Sequence, residues 1–192
     1  MRTIAKKKWD RGLDFKETLN RILSYKKWLR AAPKVTGLKR VALRNTNILL
    51  LALLNGLRIS EAIECYYKWL EDPTVKEVTV KVAKSKKDKF RVCVVEGLDN
   101  VDYKFTKQLE KPKPNTLQSW TIQKFGFNTH SLRYAFINHM LKQGYDPATV
   151  SKIIAHSKLE TLLSYIQEKR AREALLEEAR RALKGLSVEP QA

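Results

Sequence analysis

The feature that most constrains the fold is an almost uninterrupted apolar segment over residues 43–54, which ends at Asn55-Gly56. Its apolar side chains occupy nearly every face at helical spacing, so the segment predicts a helix that is buried all round. Gly56 suits the C-terminal cap of that helix, where the backbone turns left-handed. The apolar run from Ile48 to Leu54 is too short to span a bilayer, so other elements of the same domain are expected to cover it.

Amphipathic segments elsewhere in the chain predict the elements that cover this helix. Residues 13–31 carry apolar side chains close to helical spacing. Gly144 and the pair Asp146-Pro147 mark the end of one later helix and the start of the next. Further helices are predicted over residues 60–70, 131–143, 147–154, 160–166 and 168–184.

A change of pattern after residue 72 predicts a β-hairpin. Valines alternate through residues 75–82, as in a half-buried strand. Residues 84–89 form a lysine-rich turn, and a second apolar run follows from Phe90 to Val95. Residues 97–115 are interpreted as a loop because Pro112 and Pro114 interrupt them. The predicted fold class is therefore mainly α with one small antiparallel β-hairpin (α+β).

The charge of the chain indicates a polyanionic partner. Its formal net charge is +18, from 38 Lys and Arg against 20 Asp and Glu. The first 50 residues alone hold 14 basic and 3 acidic side chains, as expected of a basic arm that touches DNA. Phosphate backbone is the most common partner of so basic a chain. A basic ribosomal-type or membrane-surface protein would have a similar composition, so charge alone leaves these classes open.

Cysteine usage and the N-terminal sequence indicate the compartment. Cys65 and Cys93 lie in apolar stretches and predict two buried thiols in a reducing environment rather than a disulfide framework. No Cys/His cluster has the spacing of a zinc site. The N-terminus lacks the apolar core of a signal peptide. We therefore expect a soluble protein of the cytoplasm, in a prokaryotic cell or a virus-infected host cell.

A set of polar residues next to apolar segments points to phosphoryl transfer without a metal. Two arginines can clamp the oxygens of one phosphate through bidentate hydrogen bonds. Two histidines can donate hydrogen bonds or move protons near neutral pH. A tyrosine hydroxyl is a competent nucleophile once its proton can leave. Taken singly, each would be a solvated or packed side chain. The five residues are Arg58, His130, Arg133, His156 and Tyr165.

The order and spacing of these residues resemble those of the tyrosine recombinases. Arg58 in Gly56-Leu57-Arg58-Ile59-Ser60-Glu61 is similar to the first arginine box of that family, and His130-x-x-Arg133 is similar to the second. His156 follows Arg133 by 23 residues, and Tyr165 follows His156 by 9. The resemblance covers about residues 40–167 and implies the catalytic-domain fold of a site-specific recombinase or integrase.

The resemblance implies the role of each residue. Tyr165 would attack a DNA phosphate, leaving a 3′-phosphotyrosine and a free 5′-hydroxyl, while Arg58 and Arg133 stabilise the charge on phosphorus. His130 would assist as base or donor, and His156 would hydrogen-bond the phosphate. A hydroxyl of the partner strand then reverses the step, so no ATP, metal or other cofactor is expected.

A lysine of the hairpin would protonate the departing 5′-oxygen, as the resemblance implies. Ser85-Lys86 is aligned with the family's turn when Arg91 begins the outgoing strand. This alignment favours Lys86 for the role, with Lys84 the next choice. Lys84, Lys87 and Lys89 are otherwise predicted to contact DNA phosphates or to be solvated.

The chain departs from the family pattern at two positions. Ala155 stands where the family usually has Gly before the late His, which costs little if residue 155 is helical. Tyr134 stands where many members have another His. Neither change removes a catalytic group, so an active enzyme is expected.

The resemblance also implies an architecture. Residues 1–40 are predicted to be a basic helical lead-in, residues 41–167 the catalytic core, and residues 168–192 an amphipathic tail that packs on its own domain or docks on a neighbouring subunit of a tetramer. Residues 1–40 are too few for the helical domain that usually precedes the core. The sequence is therefore either part of a longer protein or a minimal recombinase like the fimbrial phase-switch invertases. Double-stranded DNA and further copies of the chain are the predicted partners, and DNA binding is expected to be weak and salt-sensitive.

Three other interpretations remain open from sequence. A type IB topoisomerase would share the chemistry, although its spacing and flanking domains fit less well. A DNA-binding regulator with a silent active site would not need all five residues intact. A basic structural protein would leave the ordered boxes unexplained.

Overall fold

The computed structural model describes residues 12–31, 36–83, 88–155 and 175–182. In chain order the elements are α1 (Phe15–Arg30), α2 (Gly37–Asn55), α3 (Ile59–Glu71), β1 (Glu77–Lys81), β2 (Phe90–Val94), α4 (Asn100–Thr106), α5 (Pro114–Phe125), α6 (Thr129–Lys142) and α7 (Pro147–Ile153). Residues 175–182 are also helical. The mainly α class with a two-stranded antiparallel sheet is confirmed.

Helix α2 is the centre of the core, as its apolar sequence predicts. Every side chain from Ile48 to Leu53 is at most 1% exposed. The helix packs against α1, α3, α4, α6 and strand β2. It ends at Gly56, whose φ of 59° is left-handed, so the predicted C-terminal cap is confirmed.

Helix starts are set by side chains that accept hydrogen bonds from free backbone N–H groups of the first turn. Asn128 caps α6 by accepting from the N–H of Ser131. Asp146 caps α7 by accepting from the N–H of Thr149, with Pro147 as the first helical residue, as predicted. The helix predicted over residues 160–166 lies outside the described residues.

Strands β1 and β2 form the predicted hairpin, with Val80 opposite Arg91 and Val78 opposite Cys93. Asn55, the last residue of α2, holds the outgoing strand through its side-chain amide. Its Nδ2 donates to the Val94 carbonyl at 2.9 Å, and its Oδ1 accepts from the Val94 N–H at 2.8 Å. The hairpin is thereby fixed to the end of α2.

The interpretation of residues 97–115 as a loop is wrong, because the segment contains α4 and the start of α5. Pro114 is the first residue of α5. Proline suits this position because the backbone N–H that it lacks would have no partner within the helix. Helix α4 is held by Asp102, whose buried carboxylate accepts from Lys26 of α1 at 2.5 Å. Such a short, polar helix depends on this tertiary contact rather than on its own apolar periodicity.

Cys65 and Cys93 are free and buried, as predicted. Within the described ranges, no helix has the length and apolar content required to cross a membrane.

Candidate active site

Arg58 lies at the start of α3, just past the left-handed turn at Gly56. Its backbone N–H donates to Glu61 Oε2 at 3.1 Å, and its Nη1 donates to Glu61 Oε1 at 2.9 Å. The side chain of Glu61 is fully buried, whereas that of Arg58 keeps 23% of its surface exposed. One side of the Arg58 guanidinium is therefore fixed and another remains open to solvent.

Arg133 projects from α6 into the space between the ends of α2 and α7. Its Nη1 donates to the Gly56 carbonyl at 2.7 Å, and its Nη2 donates to the Ile154 carbonyl at 2.9 Å. Burial, followed by the nearby positive charge of Arg58, lowers the pKa of Arg133 to about 10. Arg133 therefore stays cationic at neutral pH, close enough to Arg58 for the two charges to interact.

His130 lies in the first turn of α6, three residues before Arg133, which places both side chains on neighbouring positions of one helix face. The rings of His130 and Tyr134 meet edge to face, with 5.0 Å between centroids and 89° between planes. Tyr134 thus supports the imidazole of His130 from the next turn of the helix.

Glu61 connects the arginine pair to the hairpin. Its Oε1 also accepts from the backbone N–H of Ala83 at 3.0 Å, where the chain enters the lysine-rich turn. Its Oε2 lies 3.7 Å from Nη1 of Arg91, a buried residue of β2. Sequence reasoning missed both Glu61 and Arg91 as site residues. The available signals were a glutamate three residues after Arg58 and a charged residue at an inward position of an alternating strand.

Of the predicted site, the structure brings Arg58 and Arg133 together, and it places His130 one turn before Arg133 on α6. Lys89 is described and exposed, at the end of the hairpin turn. The remaining predicted residues, which are Lys84, Lys86, Lys87, His156 and Tyr165, lie outside the described residues. Ala155, the last residue of the described range 88–155, directly follows the Ile154 carbonyl that accepts from Arg133.

The backbone conformation of Ala155 differs from the helical one considered in the sequence analysis. Alanine would cost little in a helix, but the φ of Ala155 is 50°, in the left-handed region. Helix α7 ends before it, and its N–H donates to the Lys152 carbonyl at 3.0 Å. Glycine adopts this conformation freely and alanine does not, so the substitution strains the turn that precedes His156.

The arrangement favours binding of an anion. Arg58 and Arg91 lie at ion-pair distance from one carboxylate, that of Glu61, and Arg133 adds a third nearby positive charge, so the described cluster carries more positive than negative charge. Two arginines held by backbone carbonyls and a carboxylate are pre-oriented for a phosphate. Among the described residues, no group of His, Cys, Asp and Glu could hold a metal ion.

Comparisons with known proteins agree with this geometry. The chain is 30% identical to ORF241 of Acidianus two-tailed virus, named as an integrase, over 87% of this chain and 67% of that protein. It is 31% identical to V10 of Sputnik virophage, also named as an integrase, over 85% of this chain and 87% of that protein. It is 30% identical to the tyrosine recombinase XerA of Pyrococcus horikoshii, over 69% of this chain and 54% of that protein. No protein-family model matches the chain.

Among solved structures, the fold matches that of the XerH site-specific recombinase in a post-cleavage complex with its palindromic difH substrate. The TM-score is 0.59 at 18% sequence identity. The match covers 95% of this chain and 56% of that one, so the chain spans little more than half the length of the solved recombinase.

Proposed function

Because the chain belongs to the tyrosine recombinase (integrase) family, we propose that it cuts and rejoins double-stranded DNA through a covalent 3′-phosphotyrosine at Tyr165. It is the catalytic domain of a site-specific recombinase. Residues 41–167 form the core in this proposal, and residues 1–40 and 168–192 are its basic lead-in and its tail. We place its action in the cytoplasm of a prokaryotic or infected host cell.

The observation that carries the proposal is the convergence of two arginines on the turn after α2. Arg133 binds the Gly56 carbonyl, Arg58 follows two residues later, and Glu61 holds the Arg58 guanidinium. A phosphate bound there would receive hydrogen bonds from two fixed cations as charge develops on its oxygens. One such donor is commonly worth about 2.7–4 kcal/mol in a transition state. Alanine at either arginine should therefore slow cleavage by roughly a hundredfold or more.

The remaining roles follow the family pattern. Tyr165 attacks phosphorus and its proton passes to a base, for which His130 is placed one turn from Arg133. His156 donates a hydrogen bond to the phosphate, and Lys86 protonates the departing 5′-oxygen, with Lys84 as the alternative. The phosphotyrosine conserves the energy of the broken phosphodiester, so the reverse attack by a 5′-hydroxyl needs neither ATP nor metal.

Nicked suicide DNA substrates, taken from the locus that carries the gene, test the nucleophile. The wild-type chain is expected to give a covalent protein–DNA adduct on a denaturing gel, and Tyr165→Phe is expected to give none. Tyr145→Phe is the matched control, since Tyr145 is exposed beyond the end of α6. An adduct that persists in Tyr165→Phe moves the nucleophile elsewhere. The absence of an adduct from folded, DNA-bound wild-type protein contradicts the proposed cleavage.

Assembly on DNA is a second part of the proposal. Strand exchange requires more than one copy of the chain, and we propose a tetramer in which the amphipathic tail docks on a neighbouring subunit. The tail contributes the described helix over residues 175–182, which exposes Leu175 and Leu176. Truncation after Lys169 should weaken association of subunits on DNA, measured by analytical ultracentrifugation. Unchanged association would place the tail on its own domain.

A further inference from the structure

Arg91 is an inward-facing residue of β2 that the proposed chemistry does not use. It lies opposite Val80 in the hairpin, and only 7% of its surface is exposed. Inward positions of strands normally carry apolar side chains, because burying a charge is costly unless it is fully paired. The presence of arginine at this position therefore requires an explanation.

Among the described residues, the pairing of Arg91 is incomplete. Its Nη2 donates to the Asn55 carbonyl at 2.5 Å, at the end of α2. Its Nη1 lies 3.7 Å from Glu61 Oε2, which is ion-pair distance without a hydrogen bond. Within the described part of the chain, Nε and Nη1 are buried without a hydrogen-bond partner. Burial accordingly lowers the pKa of Arg91.

Arg91 occupies the junction between the hairpin and the arginine pair. Asn55 fixes β2 through Val94, and Glu61 fixes the other side of the hairpin through the N–H of Ala83. Arg91 contacts both anchors, the backbone of Asn55 and the carboxylate of Glu61. The same carboxylate binds Nη1 of Arg58. One carboxylate is thus shared between the hairpin and the residue that faces the phosphate.

We propose that Arg91 is a positioning residue, which holds the Glu61 carboxylate and the end of α2 so that the Arg58 guanidinium is directed at the phosphate. This inference rests on the proposed function and deepens it. Because only 7% of its surface is exposed, Arg91 acts through Glu61 rather than by contact with the DNA. Its incomplete pairing within the described residues leaves positive charge next to the carboxylate that binds Arg58.

A purely stabilising ion pair would affect folding but not chemistry, so the test separates the two. Arg91→Met removes the charge and keeps much of the apolar stem, whereas Arg91→Lys keeps the charge without the fork of donors. Arg40→Met is the matched control, because Arg40 is an exposed arginine of α2 and its loss changes the net charge equally. Single-turnover adduct formation is measured on suicide DNA as a function of DNA concentration.

We expect Arg91→Met to lower the adduct rate at saturating DNA by about 10- to 100-fold, the range for misplaced catalytic groups. Its DNA affinity should stay within about threefold of wild type, since the lost group makes no phosphate contact. Arg91→Lys should recover part of the rate. Arg40→Met should change affinity only.

A wild-type rate in Arg91→Met, or a loss confined to affinity, overturns the proposal. If Arg91→Met does not fold, the rate of Arg91→Lys decides: a wild-type value overturns the proposal.

A second measurement distinguishes failure of this inference from failure of the proposed function. If wild-type protein gives no adduct, the proposed cleavage is contradicted, but the role of Arg91 is not yet decided. Urea unfolding of Arg91→Met, Glu61→Gln and the double variant then tests the contact itself. We expect the double variant to be less destabilised than the two single shifts together, because each variant removes the same interaction. Additive shifts mean that Arg91 does not act through Glu61, and the inference falls.

Discussion

Ala155 holds a backbone conformation that costs an L-residue free energy. Its φ of 50° places Cβ close to the following carbonyl, a strain of roughly 1–2 kcal/mol. The residue lies between the Ile154 carbonyl that binds Arg133 and the predicted phosphate ligand His156. The strain therefore falls on the segment that would deliver His156 to the site.

Ala155→Gly should relieve this strain. We expect the free energy of unfolding to rise by about 0.5–1 kcal/mol, since the relief exceeds the entropy that glycine adds to the unfolded chain. Urea denaturation followed by circular dichroism measures the change. Ala148→Gly is the control, because Ala148 is an exposed residue within α7, where glycine should instead destabilise by about 1 kcal/mol. Destabilisation by Ala155→Gly would contradict a left-handed residue 155.

At the scale of elements, the end of α2 is the most tightly specified point in the fold. Gly56 has a left-handed φ, its carbonyl accepts from Arg133, and α6 packs closely over it. A Cβ built on Gly56 would lie 2.5 Å from Cδ1 of Phe136. The turn thus requires glycine for two separate reasons, one conformational and one steric.

Gly56→Ala and Gly126→Ala separate these two reasons. Both glycines have positive φ, but a Cβ on Gly126 meets nothing within 4 Å. We expect Gly126→Ala to cost about 1–2 kcal/mol of unfolding free energy from backbone strain alone. Gly56→Ala should cost about 1–3 kcal/mol more because Phe136 must move. Equal losses in urea denaturation would show that α6 does not press on the turn.

The packing of α3 on α4 should make stability depend on alkaline pH. Burial raises the pKa of Tyr66 to about 12, and its hydroxyl lies 2.5 Å from that of Thr106. An unfolded tyrosine ionises near pH 10. Between about pH 10 and 12 the unfolded chain has lost this proton and the folded chain retains it. The Tyr66 contribution to stability therefore falls as pH rises, by up to about 1.4 kcal/mol per unit.

Tyr66→Phe should remove this dependence. Arg133 makes stability rise with pH over the same range, from about pH 10 to 12. Its folded pKa is about 10 and its unfolded pKa is above about 12, so the folded chain loses this proton first. The test is therefore the difference between the variant and wild type, measured by urea unfolding from pH 9 to 12. Stability of Tyr66→Phe relative to wild type should improve as pH rises. A constant difference would mean that Tyr66 is ionised alike in both states.

At the scale of the whole molecule, the net charge of +18 dominates encounters with DNA. Each phosphate neutralised by Lys or Arg releases counterions, which makes affinity fall steeply with salt. We expect the isolated chain to bind duplex DNA weakly with modest sequence preference. Its affinity should drop by roughly a thousandfold between about 50 and 200 mM salt. Fluorescence anisotropy measures this, and a salt-resistant, sequence-specific nanomolar complex would contradict it.

Lys89 offers a local test of the same electrostatics. It is exposed at the end of the hairpin turn and is predicted to contact a phosphate. Lys89→Met should therefore make the slope of log K against log salt shallower by about 1. Lys107→Met is the charge-matched control, since Lys107 lies just after α4 near the ring of Tyr103, and it should leave the slope nearly unchanged. Similar changes in both variants would indicate binding through overall charge only.

Features encoded by neighbouring residues could be predicted from the sequence. Apolar periodicity located α1, α2, α6 and α7, and Gly56 and Asp146 marked helix ends, because helical spacing and caps act over a few residues. Alternation located the hairpin. The order and spacing of the two arginine boxes predicted the family. Helix α4 was missed because it depends on the buried ion pair of Asp102 with Lys26, 76 positions away.

The sequence by itself thus determined most of the elements, though not α4 and α5, together with the buried central helix and the chemistry that the polar residues can perform. Only the tertiary structure decided how those residues are held. Arg133 reaches Gly56 across 77 positions, and Arg91 reaches Asn55 across 36. The left-handed Ala155 and the shared carboxylate of Glu61 also depend on neighbours brought together by folding. Local pattern cannot encode such contacts, because they form only when burial of α2 closes the loops between distant segments.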